Sequence, residues 1–226
     1  MEGVKKMIRT DNITINTQSS IRIAGPCILY FDPFGIEEEK HDADVIFITH
    51  DHYDHFQPES ITKVKKDNTV LVAPESMKGQ ILKESGMTQD KCRFFIPGTV
   101  HEMGKIFVET VPAYNRHKPF HPKGKHWMGY NVKMDGISYY VSGDTDANEE
   151  NRKVQCDVAI VPVGGHFTMD AKQAAELVVC IDPVIAIPSH YGSLVGSMED
   201  GESFAGYVKA KNKDIRVELK IKEKEE

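Results

Sequence analysis

Hydrophobic positions along the chain predict many short strands with a few helices between them. Single apolar positions alternate with polar ones, as in half-buried strands, at Ile13, Ile15, Ile21 and Ile23. Mostly apolar runs, typical of strands buried on both faces, fill residues 27–31, 44–48 and 69–73. Further strands are predicted at residues 93–96, 106–111, 128–132, 158–163, 184–188 and 215–219. Asp135-Gly136, between two strand-like segments, predicts a tight hairpin over residues 131–141.

Helical spacing is limited to four segments. A short helix is predicted at residues 58–64, and another opens at Pro74 and stops at Gly86. Residues 170–179 carry alanines at helical spacing, and a last helix contains Phe204, Tyr207 and Val208. This alternation of strands and helices predicts an α/β protein. No linker or composition break divides the chain, so we expect one domain over residues 1–226, with a solvated charged tail from Lys220.

Three of the predicted strands end in polar residues of the kind that build sites. The strand at 44–48 precedes His50, His52, Asp54 and His55, the strand at 158–163 precedes Gly164-Gly165-His166, and the strand at 184–188 precedes Ser189-His190. Such residues meet at a common sheet edge, where ligands bind in α/β folds. Histidine and aspartate are costly to bury unless paired or metal-bound, and both are good metal ligands. The sequence therefore predicts a metal site at this edge.

Composition excludes some functions. The net charge of -6 argues against general nucleic-acid affinity, so no long nucleic acid is expected as a partner. No stretch reaches the roughly 18 apolar residues of a membrane span, and no signal sequence is recognisable, which favours a cytoplasmic protein without membrane contact. Cys27, Cys92, Cys156 and Cys180 lack metal-ligand spacing and are expected to be reduced core thiols.

The segment His50-x-His52-x-Asp54-His55 resembles the H-x-H-x-D-H signature of the metallo-β-lactamase superfamily. Gly143-Asp144-Thr145-Asp146 and Ile187-Pro188-Ser189-His190 resemble that superfamily's bridging-aspartate and last-histidine motifs. Segments similar to ascorbate-6-phosphate lactonase-like hydrolases lie at residues 32–34, 111–115, 120–124 and 164–170. The resemblance implies a four-layer αββα sandwich: two mixed β-sheets packed face to face, with helices on the outer faces and the site at one edge.

The resemblance also implies a ligand set for two metal positions. His50 and His52 match site one, Asp54, His55 and His190 match site two, and Asp144 matches the carboxylate that bridges them. Asn115 stands where site one often has a third histidine. Two alternatives follow: His121, or less favourably His117, replaces that ligand, or site one is weak and one metal is bound. Zinc is the expected ion, one or two per chain, with manganese, iron and nickel as alternatives.

The implied activity is hydrolysis of a lactone or related ester by a metal-activated water, with Asp54 and His166 as catalytic residues. The alternatives are a phosphodiesterase or nuclease-type hydrolase and a metal-binding protein without activity. Basic residues crowd the loop after strand 106–111, namely Arg116, Lys118, Lys123 and Lys125. They predict a small anionic substrate, unless the loop is merely solvated. Substrate contacts are expected from Asn115, Arg116, Lys123 and His166. Homo-oligomerisation stays open.

Three residues have two possible roles. His166 is either a substrate contact or a hydrogen-bonded structural residue. Asp32 either forms a turn or orients a ligand histidine. Asp146 either caps a following helix or supports the site.

Overall fold

The computed structural model describes residues 8–222. Residues 1–7 and 223–226, which include most of the predicted tail, lie outside the described part. Within it, Ile221 is buried and the Lys220 ammonium donates to the Thr10 carbonyl at 2.9 Å. The start of the predicted tail is therefore packed against the N-terminal segment.

The first sheet has six strands in sequence order. They are β1 (Ile13–Ile15), β2 (Ile21–Ala24), β3 (Ile28–Phe31), β4 (Ala43–Phe47), β5 (Lys65–Pro74) and β6 (Cys92–Phe95). The first two pairings, from β1 to β3, are antiparallel. The remaining three, from β3 to β6, are parallel.

The second sheet has seven strands, also ordered along the chain. They are β7 (Val100–Met103), β8 (Ile106–Pro112), β9 (Met128–Met134), β10 (Ile137–Val141), β11 (Val158–Pro162), β12 (Ile185–Ser189) and β13 (Arg216–Val217). Pairing is antiparallel from β7 to β10 and parallel from β10 to β13. Asp135 and Gly136 both have positive φ at the β9–β10 turn, as the predicted tight hairpin requires. Strand β7 was not predicted.

Helices lie on the outer faces of the two sheets. They are α1 (Pro58–Val64), α2 (Lys78–Glu84), α3 (Ala171–Ile181) and α4 (Met198–Lys211). Helix α2 follows a 3-10 turn at Glu75–Met77 and so begins later than Pro74. Asp170 and Gln173 form a capping box that fixes the start of α3. None of the helices in the described range is long and apolar enough to cross a bilayer.

Alternation along the central strands separates the core into layers. Val45 and Phe47 of β4 face the second sheet, where Phe47 stacks on Phe31 and contacts Tyr130, both at 4.8 Å between ring centroids. Ile46 faces the other way, into the layer that carries α1 and α2. Two mixed sheets with helices outside confirm the predicted αββα sandwich. Because side chains alternate between the two faces of a strand, a central strand such as β4 packs one face against the other sheet and the opposite face against the outer helices.

The four cysteines are free thiols, and none belongs to a candidate metal-binding group of the described residues. Cys92 is buried, as predicted for a core thiol. Cys180 is exposed on α3, so its assignment to the core is wrong. It occupies the solvent side of a helix whose alanine face is the one that packs.

Candidate metal centre

Asp32 supports the loop that follows β4. It is fully buried with φ 44°, directly after β3. Its Oδ1 accepts the Thr49 N–H at 2.7 Å, and its Oδ2 accepts the Thr49 hydroxyl at 2.6 Å and His55 Nδ1 at 2.7 Å. Of the two roles open for Asp32, the structure places it as the partner of a predicted ligand. The Asp32 carboxylate keeps a proton on Nδ1 of His55, so Nε2 is the nitrogen that faces the centre.

Thr49 links Asp32 to His50 and so fixes the orientation of the His50 ring as well. Because the Thr49 hydroxyl donates to Asp32, its oxygen accepts a hydrogen bond from the His50 Nδ1–H group, with 2.9 Å between the two atoms. His50 therefore also presents Nε2 as its free nitrogen. One buried carboxylate thus fixes the orientation of two imidazoles, that of His55 directly and that of His50 through Thr49.

His50, His52 and His121 form the first ligand group, which corresponds to site one. Their nitrogens all lie within 4.8 Å of one another, and His50 Nε2 is 3.1 Å from His52 Nδ1. His121 reaches this position from the loop between β8 and β9, with φ 55°. The sequence offered His121 or His117 as the third imidazole of site one. The structure brings His121 to site one, whereas His117 is exposed and belongs to none of the candidate groups.

Asp54, His55 and His190 form the second ligand group, which corresponds to site two. Asp54 Oδ2 lies 3.2 Å from His190 Nε2 and 3.5 Å from His55 Nε2. His190 follows β12 directly with φ 55°, and its N–H donates to the Gln18 carbonyl at 3.0 Å. All three residues are buried.

Asp144 lies between the two groups. Its Oδ2 is 3.4 Å from His121 Nε2 and 3.3 Å from His190 Nε2, and its Oδ1 is 3.3 Å from His55 Nε2. The preceding Gly143 has φ 62°, and a Cβ there would meet the Thr49 side chain at 2.9 Å. Only glycine lets this strand end approach the β4 loop so closely. The carboxylate therefore touches ligands of both sites at once.

Electrostatics favour the ligating form of His50, Asp54 and Asp144. At His55 burial opposes protonation, but the charges of Asp144 and Asp32 outweigh it and hold the pKa well above its usual range, so a metal would displace a proton there. Burial and the charge of His55 hold the pKa of His50 well below its usual range, so this imidazole is neutral. Burial opposes ionisation of Asp144, but the charges of His190 and His55 outweigh it and hold the carboxyl pKa well below its usual range. Burial likewise opposes ionisation of Asp54, yet its hydrogen bond to His190 lowers the pKa below the ordinary value. Neutral imidazole and ionised carboxylate are the forms that bind metals.

Unsatisfied atoms test whether a metal fits. His55 Nε2, His121 Nε2 and Asp144 Oδ1 are buried without a hydrogen-bond partner among the described residues. Each such atom costs about 1–3 kcal/mol if nothing satisfies it. Two clustered donor sets, one of three imidazoles and one of two imidazoles and a carboxylate, suit zinc, iron, nickel or manganese. The residues therefore fit one ion at each position.

Residues predicted to bind substrate are placed differently from one another. Asn115 is buried, with its amide donating to the Phe167 carbonyl at 2.7 Å and lying 3.3 Å from His121 Nδ1. Lys123 is paired with Glu150 at 2.9 Å and lies over the Tyr114 ring. Arg116 is exposed, and its guanidinium has no described partner. Of the two basic side chains, Lys123 is held by Glu150, whereas Arg116 is available to contact a ligand.

His166 lies outside the metal groups, on the loop after β11. It is exposed with φ 46°, and its ring lies 4.4 Å from that of Phe167 and 5.8 Å from that of Phe120. Phe120 directly precedes His121 in the sequence, so the three aromatic rings lie next to a ligand residue of site one. No hydrogen bond from the His166 ring is present among the described residues.

Trp127 and Thr49 escaped prediction. The Trp127 ring is buried within 5.0 Å of His50, 5.1 Å of His52 and 5.5 Å of His121, so it forms a wall of site one. Its position as the single tryptophan just before a predicted strand was the available signal. Thr49 preceded the histidine motif directly, which could have marked it as a hydrogen-bond partner.

Comparison with known proteins agrees with this centre. The sequence model of the family described as beta-lactamase superfamily domain matches residues 13–190. A UPF0173 metal-dependent hydrolase of Thermoplasma acidophilum is 32% identical over 178 residues, 75% of each chain. Another from Thermococcus kodakarensis is 29% identical over 196 residues, 80% of this chain and 85% of the relative. The chain therefore belongs to the beta-lactamase superfamily and, within it, to the UPF0173 metal-dependent hydrolases.

A solved structure extends the likeness to the whole fold. A putative metal-dependent hydrolase from Parabacteroides distasonis superposes with a TM-score of 0.75 at 27% identity, covering 93% of both chains. The predicted superfamily is confirmed. The names of these three relatives state no substrate, so the finer likeness to ascorbate-6-phosphate lactonases stays a prediction.

Proposed function

We propose that the protein is a binuclear metal-dependent hydrolase that opens a lactone, or cleaves a related ester, of a small anionic substrate. The observation that carries the proposal is Asp144, whose two oxygens lie within 3.4 Å of ligands from both groups. A carboxylate in this position serves two ions better than one. The membership of the chain among metal-dependent hydrolases supports the same conclusion.

Seven side chains would hold the ions. Site one takes His50, His52 and His121, site two takes Asp54, His55 and His190, and Asp144 serves both. Zinc suits these ligands best, since the sets are rich in imidazole. Bound metal would supply Lewis acidity, lowering the pKa of water from near 16 towards about 7 and polarising the ester carbonyl.

Asp54 is the chain's own base in this proposal. Its carboxylate is ionised at neutral pH and oriented by His190 at 3.2 Å. A carboxylate held in this way can orient a water and accept its proton. Trp127 and the buried ligands keep bulk water from one side of the centre, which strengthens these interactions.

Substrate charge is inferred from the loop that carries His121. Arg116 offers a guanidinium without a described partner, suited to a carboxylate or phosphate. His166 is exposed on the loop after β11, which the Asn115 amide joins to this loop through the Phe167 carbonyl, and it offers a second polar group for an anion. Lys123 is bound to Glu150 and contributes little to this contact.

Metal content and a substrate panel test the proposal. Purified protein, loaded with zinc and washed, should retain two equivalents per chain by elemental analysis. It should hydrolyse phosphorylated or carboxylated lactones faster than neutral lactones of the same ring size. Preference for phosphodiesters over every lactone would replace the proposed substrate class. Two bound metals with no hydrolysis of any member would favour a binding protein without activity.

A further inference from the structure

The loop from Asn115 to His121 is held in place by contacts with residues that do not belong to the two ligand groups. We propose that Lys118 and Asp146 are positioning residues that place His121, and therefore control whether site one is filled. The inference rests on the proposed metal centre but adds two residues that ligate nothing. Of the two roles open for Asp146, it assigns support of the site and not the capping of a helix.

Asp146 binds this loop at two points. Its Oδ1 accepts the Lys118 ammonium, and its Oδ2 accepts the Arg116 N–H at 3.1 Å. The Lys118 ammonium also donates to the Thr168 carbonyl at 2.6 Å, so one lysine joins three segments of chain. Both side chains are mostly buried, at 23% and 14% exposed for Lys118 and Asp146. We call this contact the loop clamp.

The clamp holds the base of a closed loop. The Asn115 N–H donates to the His121 carbonyl at 2.8 Å, and the Asn115 amide holds the Phe167 carbonyl at 2.7 Å. Where a direct ligand histidine is expected, this chain therefore uses asparagine to close the loop that delivers a histidine six residues later. His121 depends on the path of that loop for its position.

The same segment carries the bridging carboxylate. Asp146 is two residues after Asp144, and its N–H donates to the Tyr114 carbonyl at 3.2 Å. The Thr145 hydroxyl meets the Tyr114 N–H at 3.1 Å. Asp144 and the His121 loop are thus fastened together, so releasing the loop separates a ligand of site one from the bridge.

Site two does not depend on this fastening. Asp54 and His55 come from the loop after β4, held by Asp32, and His190 comes from the end of β12. Loss of outer partners costs a metal site about 10–100-fold in affinity. Breaking the clamp should therefore weaken site one by that factor and leave site two near its wild-type affinity.

Trp127 provides a site-specific readout. It is the single tryptophan of the chain, and its ring lies 5.0–5.5 Å from the three histidines of site one. Cobalt(II) titrated into metal-free, full-length protein should quench its emission when site one fills. Elemental analysis of the same samples counts both sites. Lys118→Met and Asp146→Asn should shift the quenching midpoint 10–100-fold, while one equivalent stays bound.

Lys66→Met is the matched control. Lys66 also pairs with a carboxylate, Asp44 at 2.7 Å, and donates to a backbone carbonyl, that of Asp42 at 3.2 Å. Its pair is partly buried too, at 32% and 33% exposed, but belongs to the far end of β4. This variant should keep the wild-type quenching midpoint, and Lys118→Arg should recover most of the affinity lost in Lys118→Met.

Three outcomes would overturn the clamp. Unchanged quenching in both clamp variants would mean that His121 is placed without it. Equal weakening of both sites, together with the loss of folded signal, would mean that Lys118 only stabilises the fold. Wild-type protein that binds only one cobalt at saturation, without quenching Trp127, would overturn the binuclear proposal, and the clamp with it.

Discussion

The two metal positions are built in different ways. Site two is formed by three buried residues: His190 directly follows β12, and Asp54 and His55 lie on the loop after β4, where Asp32 fixes His55 at 2.7 Å. Site one includes the half-buried His52 and takes His121 from a loop of many residues between β8 and β9. Buried side chains that are already fixed by neighbours lose little further freedom on binding, whereas a half-buried ligand and one on a long loop must be ordered by other contacts. Site two should therefore bind metal more tightly than site one.

Removing the shared carboxylate should have the largest effect. Asp144→Ala takes a ligand from both positions and leaves His55 Nε2 and His121 Nε2 facing a gap. Hydrolysis should fall by more than about 100-fold, because even outer partners of metal ligands are worth about 10–100-fold. The measurement is kcat/KM with the best lactone, alongside metal per chain. Full activity with full metal content would refute a bridging role for Asp144.

Single-ligand variants should separate the two sites. His121→Ala should leave about one metal per chain and abolish Trp127 quenching by cobalt, because site two keeps its three ligands. His190→Ala should retain the quenching at site one. His117→Ala is the control for His121, since His117 lies on the same loop but is exposed. Equal losses in the His117 and His121 variants would contradict the ligand assignment.

Asp32→Asn should weaken site two by about 10–100-fold, the usual cost of losing an outer partner. An amide in place of the carboxylate would donate towards His55 Nδ1 and move the imidazole proton to Nε2. The check is competitive metal titration with a chelator. Asp157→Asn is the matched control, because Asp157 also accepts a backbone N–H and a hydroxyl, both from Ser138 at 2.8 Å. An unchanged chelator competition curve for Asp32→Asn would count against its role.

The smallest effect should come from a contact at the end of β4, ahead of the loop that supplies ligands to both sites. Tyr130 is fully buried, and its hydroxyl donates to the Ile48 carbonyl at 2.6 Å, at the end of β4. Tyr130→Phe leaves that carbonyl unpaired and should lower the free energy of unfolding by about 1–3 kcal/mol. Chemical denaturation measures this, with Tyr207→Phe on the surface of α4 as control. A change in the ratio of metal bound at the two sites would show that the contact is local instead.

The sequence predicted strand ends better than loop contacts. Alternation placed β1 and β2, and short strand-like segments placed β3–β6 and β8–β13. The spacing of His50, His52, Asp54 and His55 was enough to predict a metal site, because it depends only on neighbouring positions in the chain. Strand β7 escaped because it is an edge strand with exposed or half-buried residues only. Its pattern carries no buried face to detect.

The site residues whose roles the sequence did not predict are those whose side-chain partners lie far away along the chain. Lys123 was predicted to bind substrate, but Glu150, 27 residues away, pairs with it. Asn115 looked like a weak metal ligand, yet its amide is directed to Phe167 and its N–H closes the His121 loop. Such pairings depend on how two loops meet, which residue type and spacing do not encode. The roles of individual site residues, the single-domain organisation and the cytoplasmic location remain predictions.

Each sheet supplies part of the centre. The loop after β4 in the first sheet gives His50, His52, Asp54 and His55, and loops of the second sheet give His121, Asp144 and His190. A pair of bound ions would consequently act as a cross-link between the two halves of the sandwich. Ligand that binds only the folded state stabilises it by about 2.7 kcal/mol at a free concentration 100 times the Kd. Metal supply would then set the lifetime of the folded protein as well as its activity.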